Sequence, residues 1–184
     1  MPTVFTRILQ GELPGRFVWR DELCAVFLSI APLRPGHALV VPRAEVDHWI
    51  DLPPATAAHL MTVAQIVGKA QQAAFSPARI GLMIAGFEVP HVHVHVVPVE
   101  GMRDLDFANA DARPQAAALD DAAQTLQLSA RHDARARGPA RTAAETRSVQ
   151  ATGRQDQRWR NTIRSPGCAR ADPVDQAERR QVQR

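Results

Sequence analysis

Hydrophobic positions along the first hundred residues change period several times, and each change predicts an element. In "TVFTRILQGELPG", Val4, Phe5, Ile8 and Leu9 recur at helical spacing until Gly11 and Pro14 break the pattern, which predicts a helix of one or two turns. "RFVWRD" and "LCAVFLSI" are rich in β-branched and aromatic residues and are parted by Asp21-Glu22, as in a hairpin. "APLRPG" reads as a turn, "HALVVPR" as a third strand and "VDHWIDLPP" as a connector. From Pro54 to Phe75 the period lengthens. Leu60, Val63, Ala64, Val67, Ala70 and Ala74 then share one helical face, and Pro54 suits a first turn. "ARIGLMIAGF" and "HVHVHVVPV" predict two more strands, and "DARPQAAALDDAAQTLQL" a last helix ending near Leu128. Five strands, mostly adjacent in sequence, with one long and two shorter helices predict an α+β fold on an antiparallel sheet.

Composition divides the chain. Its 184 residues suggest one domain with an appendage. Residues 1–130 carry nine Lys and Arg against thirteen Asp and Glu, a net of −4. Residues 131–184 carry thirteen Arg against six acidic residues, a net of +7. The overall +3 therefore belongs to the tail, and does not mark the folded part as a nucleic-acid binder. Val149, Ile163, Val174 and Val182 are the tail's only Val, Ile, Leu or Phe residues, too few to offset chain entropy by burial. The expectation is a folded domain over 1–130 and a basic, disordered tail over 131–184. Three readings of that tail stay open: contact with RNA, DNA or acidic membrane, no partner at all, or translation in a wrong frame.

Cys24 and Cys168 form neither a disulfide framework nor a zinc signature. No apolar run approaches the roughly 18 residues of a membrane span, and the amino terminus lacks a signal-peptide pattern. The chain reads as soluble and cytoplasmic, with no membrane partner.

"HVHVHVVP" concentrates the chemistry. Three of seven histidines stand on alternate positions. On a strand His91, His93 and His95 would line one face, and Val92, Val94 and Val96 the other. Two such histidines can share a metal ion. Three cannot easily do so, since the outer pair lies about 13 Å apart at about 3.3 Å per residue. The alternative is catalysis. A neutral imidazole is a competent nucleophile, and neighbouring rings can donate hydrogen bonds to phosphoryl oxygens. That pattern suits phosphoryl or nucleotidyl transfer without a metal.

These residues resemble the histidine triad (HIT) superfamily, whose motif alternates three histidines with apolar residues. "FTRILQGELP" is similar to that family's amino-terminal helix and "AVFLSIAPLRPGHALVVPR" to its central hairpin. The resemblance runs from about Val4 to Pro98, and the tail lies outside it. It implies a HIT-like five-stranded sheet and a nucleotide-conjugate hydrolase or nucleotidyl transferase. Its substrates would be nucleoside phosphoramidates or dinucleoside polyphosphates. It also implies a nucleotidyl-histidine intermediate, no cofactor, and a homodimer that continues the sheet or the long helix.

By the same resemblance His93 is the nucleophile and His95 contacts phosphate and leaving group. His91 holds the nucleophile's other nitrogen through its backbone carbonyl, and His37 orients the triad. The base would lie against Val4, Phe5, Ile8, Leu13, Phe27 and Ile30. His48 and His59 match no motif and read as ordinary residues. Three positions depart from the family pattern. Ser29 stands where an Asp commonly holds the ribose, Gly86 where an Asn follows the fourth strand, and Glu88 near a leaving-group hydroxyl. Glu88 is expected either to pair with a histidine or to cap the turn before Pro90, in both cases without touching phosphate. The alternative from another class is a nucleotide-binding regulatory module with little turnover.

Overall fold

A computed structural model describes the backbone of residues 1–137 and the side chains as far as residue 127. The tail expected to be disordered begins at residue 131; its first seven residues are helical, and the rest, 138–184, lies outside the described residues. The described elements are α1 (Val4–Gln10), β1 (Phe17–Arg20), β2 (Cys24–Leu28), β3 (Ala38–Pro42), α2 (Pro54–Phe75), β4 (Arg79–Met83), β5 (Val94–Val99) and α3 (Ala116–Arg137). All strand pairs are antiparallel in the order β1-β2-β3-β5-β4, so the fold is the α+β arrangement that the periodicity predicts.

Register sorts side chains onto two faces. One cross-strand row runs Phe27, Leu39, His95, Met83, and the next runs Val26, Val40, Val94. Because alternate residues face opposite sides, the second row meets α2 and α3 and the first does not. Leu60, Val63, Ala64, Val67 and Ala70 of α2, with Ala122, Ala123 and Leu126 of α3, close over Val26, Val40, Val94 and Val96 as one buried cluster. On the opposite face a smaller cluster, Phe5, Phe27, Leu39 and Val41, is covered by α1. The histidines share this second face.

Two boundaries differ from the sequence expectation. The last strand begins at Val94 rather than His91. Its partner β3 ends at Pro42, which has no N–H to offer, and the Pro42 carbonyl is taken by the His91 ring. The N–H of Val92 turns instead to the carbonyl of Val46, at 2.8 Å. The last helix runs to Arg137 instead of stopping near Leu128, and at 22 residues it matches α2 in length. No Gly or Pro occurs between Ala116 and Arg137, so the shift in composition near residue 131 carries no helix-breaking signal.

The turn ahead of β3 is fastened from below. Gln71, fully buried on α2, donates through Nε2 to the carbonyls of Gly36 and Val96, both at 2.9 Å. Gly36 has φ +83°, and the Phe75 ring occupies the space a Cβ would need. Both the left-handed backbone and the ring demand glycine here. Gly36→Ala is therefore expected to lower unfolding free energy by on the order of 2 kcal/mol or more, read from urea denaturation. An unchanged midpoint would show that the turn relaxes freely.

Candidate active site

Three of the four clustered histidines have their proton placed by a backbone group of fixed polarity, and the fourth by one of those rings. His93 lies one residue before β5. Its Nδ1 is 2.7 Å from the backbone oxygen of His91, which can only accept, so the proton sits on Nδ1 and Nε2 keeps its lone pair. His91 is fully buried and donates from Nε2 to the carbonyl of Pro42 at 2.9 Å. His37 accepts the backbone N–H of Leu33 at Nδ1, 3.1 Å away, which leaves its proton on Nε2. That proton points at Nδ1 of His95, 2.9 Å distant. His95 must then carry its own proton on Nε2. The result is one ring with a free lone pair beside another with a free N–H.

Packing holds these rings in place. His93 stands edge-on between Phe5, 4.9 Å away between ring centres, and His95, 4.7 Å away. Phe27 backs Phe5 at 5.6 Å. Phe107, in a short 3-10 turn after β5, stands at 5.1 Å edge-on to His95.

Burial also keeps the rings uncharged. His37 is pushed down to about 4, first by burial and then by the nearby His93. His95 is pushed down to about 3 by burial, His37 and His93. His93 is lowered as well, by burial above all. Its bond to the His91 carbonyl and the charge of Glu88 act upward, while His91 adds to the lowering. Removing charged imidazole from water is unfavourable, so the neutral tautomers persist at neutral pH.

The structure brings together His37, His91, His93 and His95, with Phe5 and Phe27 behind them. Ile8 is half-buried against the same apolar cluster. Leu13 is half-buried and belongs to none of the apolar clusters of the described residues, while Ile30 is 77% exposed and Val4 42% exposed. The Ser29 hydroxyl accepts the N–H of Ala31 at 3.2 Å. Glu88 is exposed and makes no hydrogen bond among the described residues, so it caps no turn; it acts on His93 through charge alone.

Several contributors escape the sequence pattern. Phe107 lies in "MRDLDFANA", which shows no period, and only folding carries it to His95. His59 is more than an ordinary helix residue: its Nε2 meets the Asp21 carboxylate at 2.9 Å. Asp21, Cys24 and His59 are the one group among the described residues whose ligand atoms crowd together as a metal site would, within 4.8 Å. Cys24 belongs to the helix-covered core, whereas the triad shares the face under α1. Asp21 already accepts Trp19 Nε1 and the N–H groups of Leu23 and Cys24. Burial and Asp21 push the Cys24 thiol up to about 12.

Buried neutral histidines make stability depend on pH. Between their ordinary value of 6.5 and about 4, the unfolded chain binds protons that folded His37 and His95 refuse. Stability is thus fully present above pH 6.5 and falls as acid is added. The expected loss by pH 4.5 is on the order of 2 kcal/mol per histidine, read from urea midpoints at pH 7, 5.5 and 4.5. A midpoint constant over that window would contradict neutral burial.

Comparison with known proteins agrees with this fold. Adenylylsulfatase HINT3 of Arabidopsis thaliana is 27% identical over 135 residues, covering 70% of this chain and 68% of that protein. The asymmetrical bis(5'-nucleosyl)-tetraphosphatase of Schizosaccharomyces pombe is 35% identical over 98 residues, covering 50% of this chain and 52% of its own length. The crystal structure of a Zn-bound histidine triad family protein from Mycobacterium smegmatis superposes with a TM-score of 0.63 at 26% identity, over 72% of this chain and 96% of that one. A family model described as the HIT domain matches residues 10–102. With that match over half its length, and with the triad on one face of a five-stranded antiparallel sheet, this chain belongs to the HIT domain family.

Proposed function

We propose that this chain hydrolyses nucleotide conjugates, or transfers their nucleotidyl group, through a covalent intermediate on His93. What carries the proposal is the pair of complementary nitrogens: the His93 Nε2 lone pair and the adjoining His95 Nε2–H. Nε2 of His93 attacks the α-phosphorus and the bond to the leaving group breaks. The Nε2–H of His95 hydrogen-bonds the departing atom as charge builds on it and stays on the ring; the leaving group departs as an anion and takes any proton from solvent. Water then attacks the same phosphorus, the N–P bond breaks with its electrons returning to Nε2, and the proton lost by water passes to solvent. His37 keeps His95 in the donor tautomer, and the His91 carbonyl keeps His93 in the tautomer whose Nε2 is bare. No step is assigned to a metal or other cofactor, since ring N–H groups meet the developing charge.

The activities named for the relatives, an adenylylsulfatase and a bis(5'-nucleosyl)-tetraphosphatase, support a nucleotide conjugate as substrate class, with phosphoramidates and dinucleoside polyphosphates as candidates. Phe5 and Phe27, with Ile8, offer an apolar wall for a base. Ser29 offers the ribose one hydroxyl in place of a charged two-oxygen clamp. Glu88 sets a negative charge near the nucleophile, which opposes polyanionic leaving groups unless that carboxylate turns away.

A second copy of the chain is the proposed partner. Outside the histidine site, a groove of about 620 Å³ runs between α2 and β4, lined by Met61, Gln65, Gly68, Lys69, Ile80 and Leu82. Lys69 is its one charged lining residue, so it is poorly equipped for phosphate and well shaped for an apolar protein surface. β4 is also an edge strand whose outer hydrogen-bonding groups face no neighbour in the sheet. No described helix is long and apolar enough to cross a membrane.

Incubation with a radiolabelled adenylyl donor, followed by acid quench, should leave label on the wild-type chain and none on His93→Ala. Turnover by that variant should fall by about 10⁴-fold or more, and by His95→Ala by about 10²–10³-fold. Tight nucleotide binding with neither label nor turnover would favour the regulatory module instead. For the assembly, Leu82→Arg with Met61→Glu should convert a dimer to a monomer in analytical ultracentrifugation; a monomeric wild type would refute that interface.

A further inference from the structure

Behind the triad lies a second polar group that the proposed chemistry does not use directly. Thr3 is the N-cap of α1, and its Oγ1 accepts the N–H of Thr6 at 3.2 Å. The same oxygen lies 2.9 Å from Nδ1 of His91, and Thr6 Oγ1 lies 3.4 Å from it. Glu45, from the loop after β3, brings one carboxylate oxygen to the Thr3 N–H at 3.0 Å, to Thr3 Oγ1 at 3.2 Å, and to the Thr6 hydroxyl in a short hydrogen bond. Those hydrogen bonds, from Thr6 and then from Thr3, hold the Glu45 carboxyl below its usual range.

Counting hydrogens gives the group a direction. His91 spends its Nε2 proton on the Pro42 carbonyl, so as a neutral ring it needs a donor at Nδ1. Two hydroxyl hydrogens are available, and two acceptors claim them. Thr6 donates to Glu45, which leaves the Thr3 hydroxyl to donate to His91. The opposite assignment, with the Thr3 hydroxyl on Glu45 and the Thr6 hydroxyl on His91, would use the longer contact at each acceptor, 3.2 Å and 3.4 Å. With both nitrogens held, the His91 ring cannot turn, and its backbone carbonyl is the group that fixes the Nδ1 proton of His93.

Resting on the function proposed above, we infer that Glu45 is a positioning residue for the nucleophile, acting through Thr3, Thr6 and His91. It touches no reacting atom. Its carboxylate takes up the Thr6 hydroxyl so that Thr3 locks His91, and His91 in turn locks His93 with Nε2 bare. Without the carboxylate both hydroxyls rotate, and His91 can move its proton to Nδ1 and release Pro42. The His91 carbonyl is then no longer anchored, and His93 begins to populate the tautomer with its proton on Nε2, which cannot attack.

The test uses the full chain, with wild type, Glu45→Ala and Glu45→Gln compared. Long-range proton–nitrogen spectra of the histidine rings report the tautomer of His93 without any need for turnover. Glu45→Ala is expected to shift His93 from a pure Nδ1–H form to a mixture. It should also lower kcat about tenfold while KM stays within twofold. Glu45→Gln keeps an acceptor oxygen at the same reach and should recover most of both. An unchanged ring spectrum in Glu45→Ala overturns the inference. So does a loss of kcat that merely tracks a fall in Tm and is not recovered by Gln. If the wild type neither labels nor turns over, the proposed function fails, while the ring spectra still decide the role of Glu45.

Discussion

The arrangement around the triad depends on one hydrogen bond, from the Nδ1–H of His93 to the carbonyl of His91, at 2.7 Å. A carbonyl cannot donate, so this contact alone decides which nitrogen of the ring is bare. Remove it and the ring becomes an ordinary buried histidine with two interchangeable tautomers. The late start of β5, at Val94, is what makes it possible. Were residues 91 to 93 in the regular ladder, a neighbouring strand could claim the His91 carbonyl. Because β3 ends in a proline, the last residues before β5 leave the ladder, and a backbone acceptor becomes free for a side chain.

The same logic runs through the neighbouring rings. The backbone N–H of Leu33 sets His37, His37 sets His95, and the Pro42 carbonyl sets His91. Three of the four tautomers thus begin at backbone groups, whose polarity cannot change, and the fourth is inherited through one ring. Burial adds the second condition by keeping His37 and His95 neutral across the physiological range. Rigidity and neutrality come from the same packing, since the aromatic rings of Phe5 and Phe107 that hold His93 and His95 also exclude water from them.

The two faces of the sheet divide the labour. The helix-covered face is built of Val, Ala and Leu and supplies most of the apolar burial, so the face under α1 can carry four buried polar rings. Gln71 joins the two, reaching from α2 to the carbonyls of Gly36 and Val96 and so fixing the turn from which His37 projects. Its carbonyl oxygen lacks a partner within the described residues, a local cost accepted where the two backbone contacts are made.

The sequence by itself determined the element order, the antiparallel α+β class, and the placing of three alternating histidines opposite three valines. Periodicity is local, and a strand's alternation survives without knowledge of its neighbours. It also distinguished the helical face of α2, because Leu60, Val63, Ala64 and Val67 repeat at turn spacing. Only the tertiary structure decided where the strand starts, that α3 continues to Arg137, and which nitrogen of each ring bears the proton. The contributions of Thr3, Glu45, Gln71 and Phe107 were invisible in the chain for the same reason. Hydrogen-bond polarity at His91 is set by residues 88 and 46 positions away, and no period in a sequence records a contact across that distance.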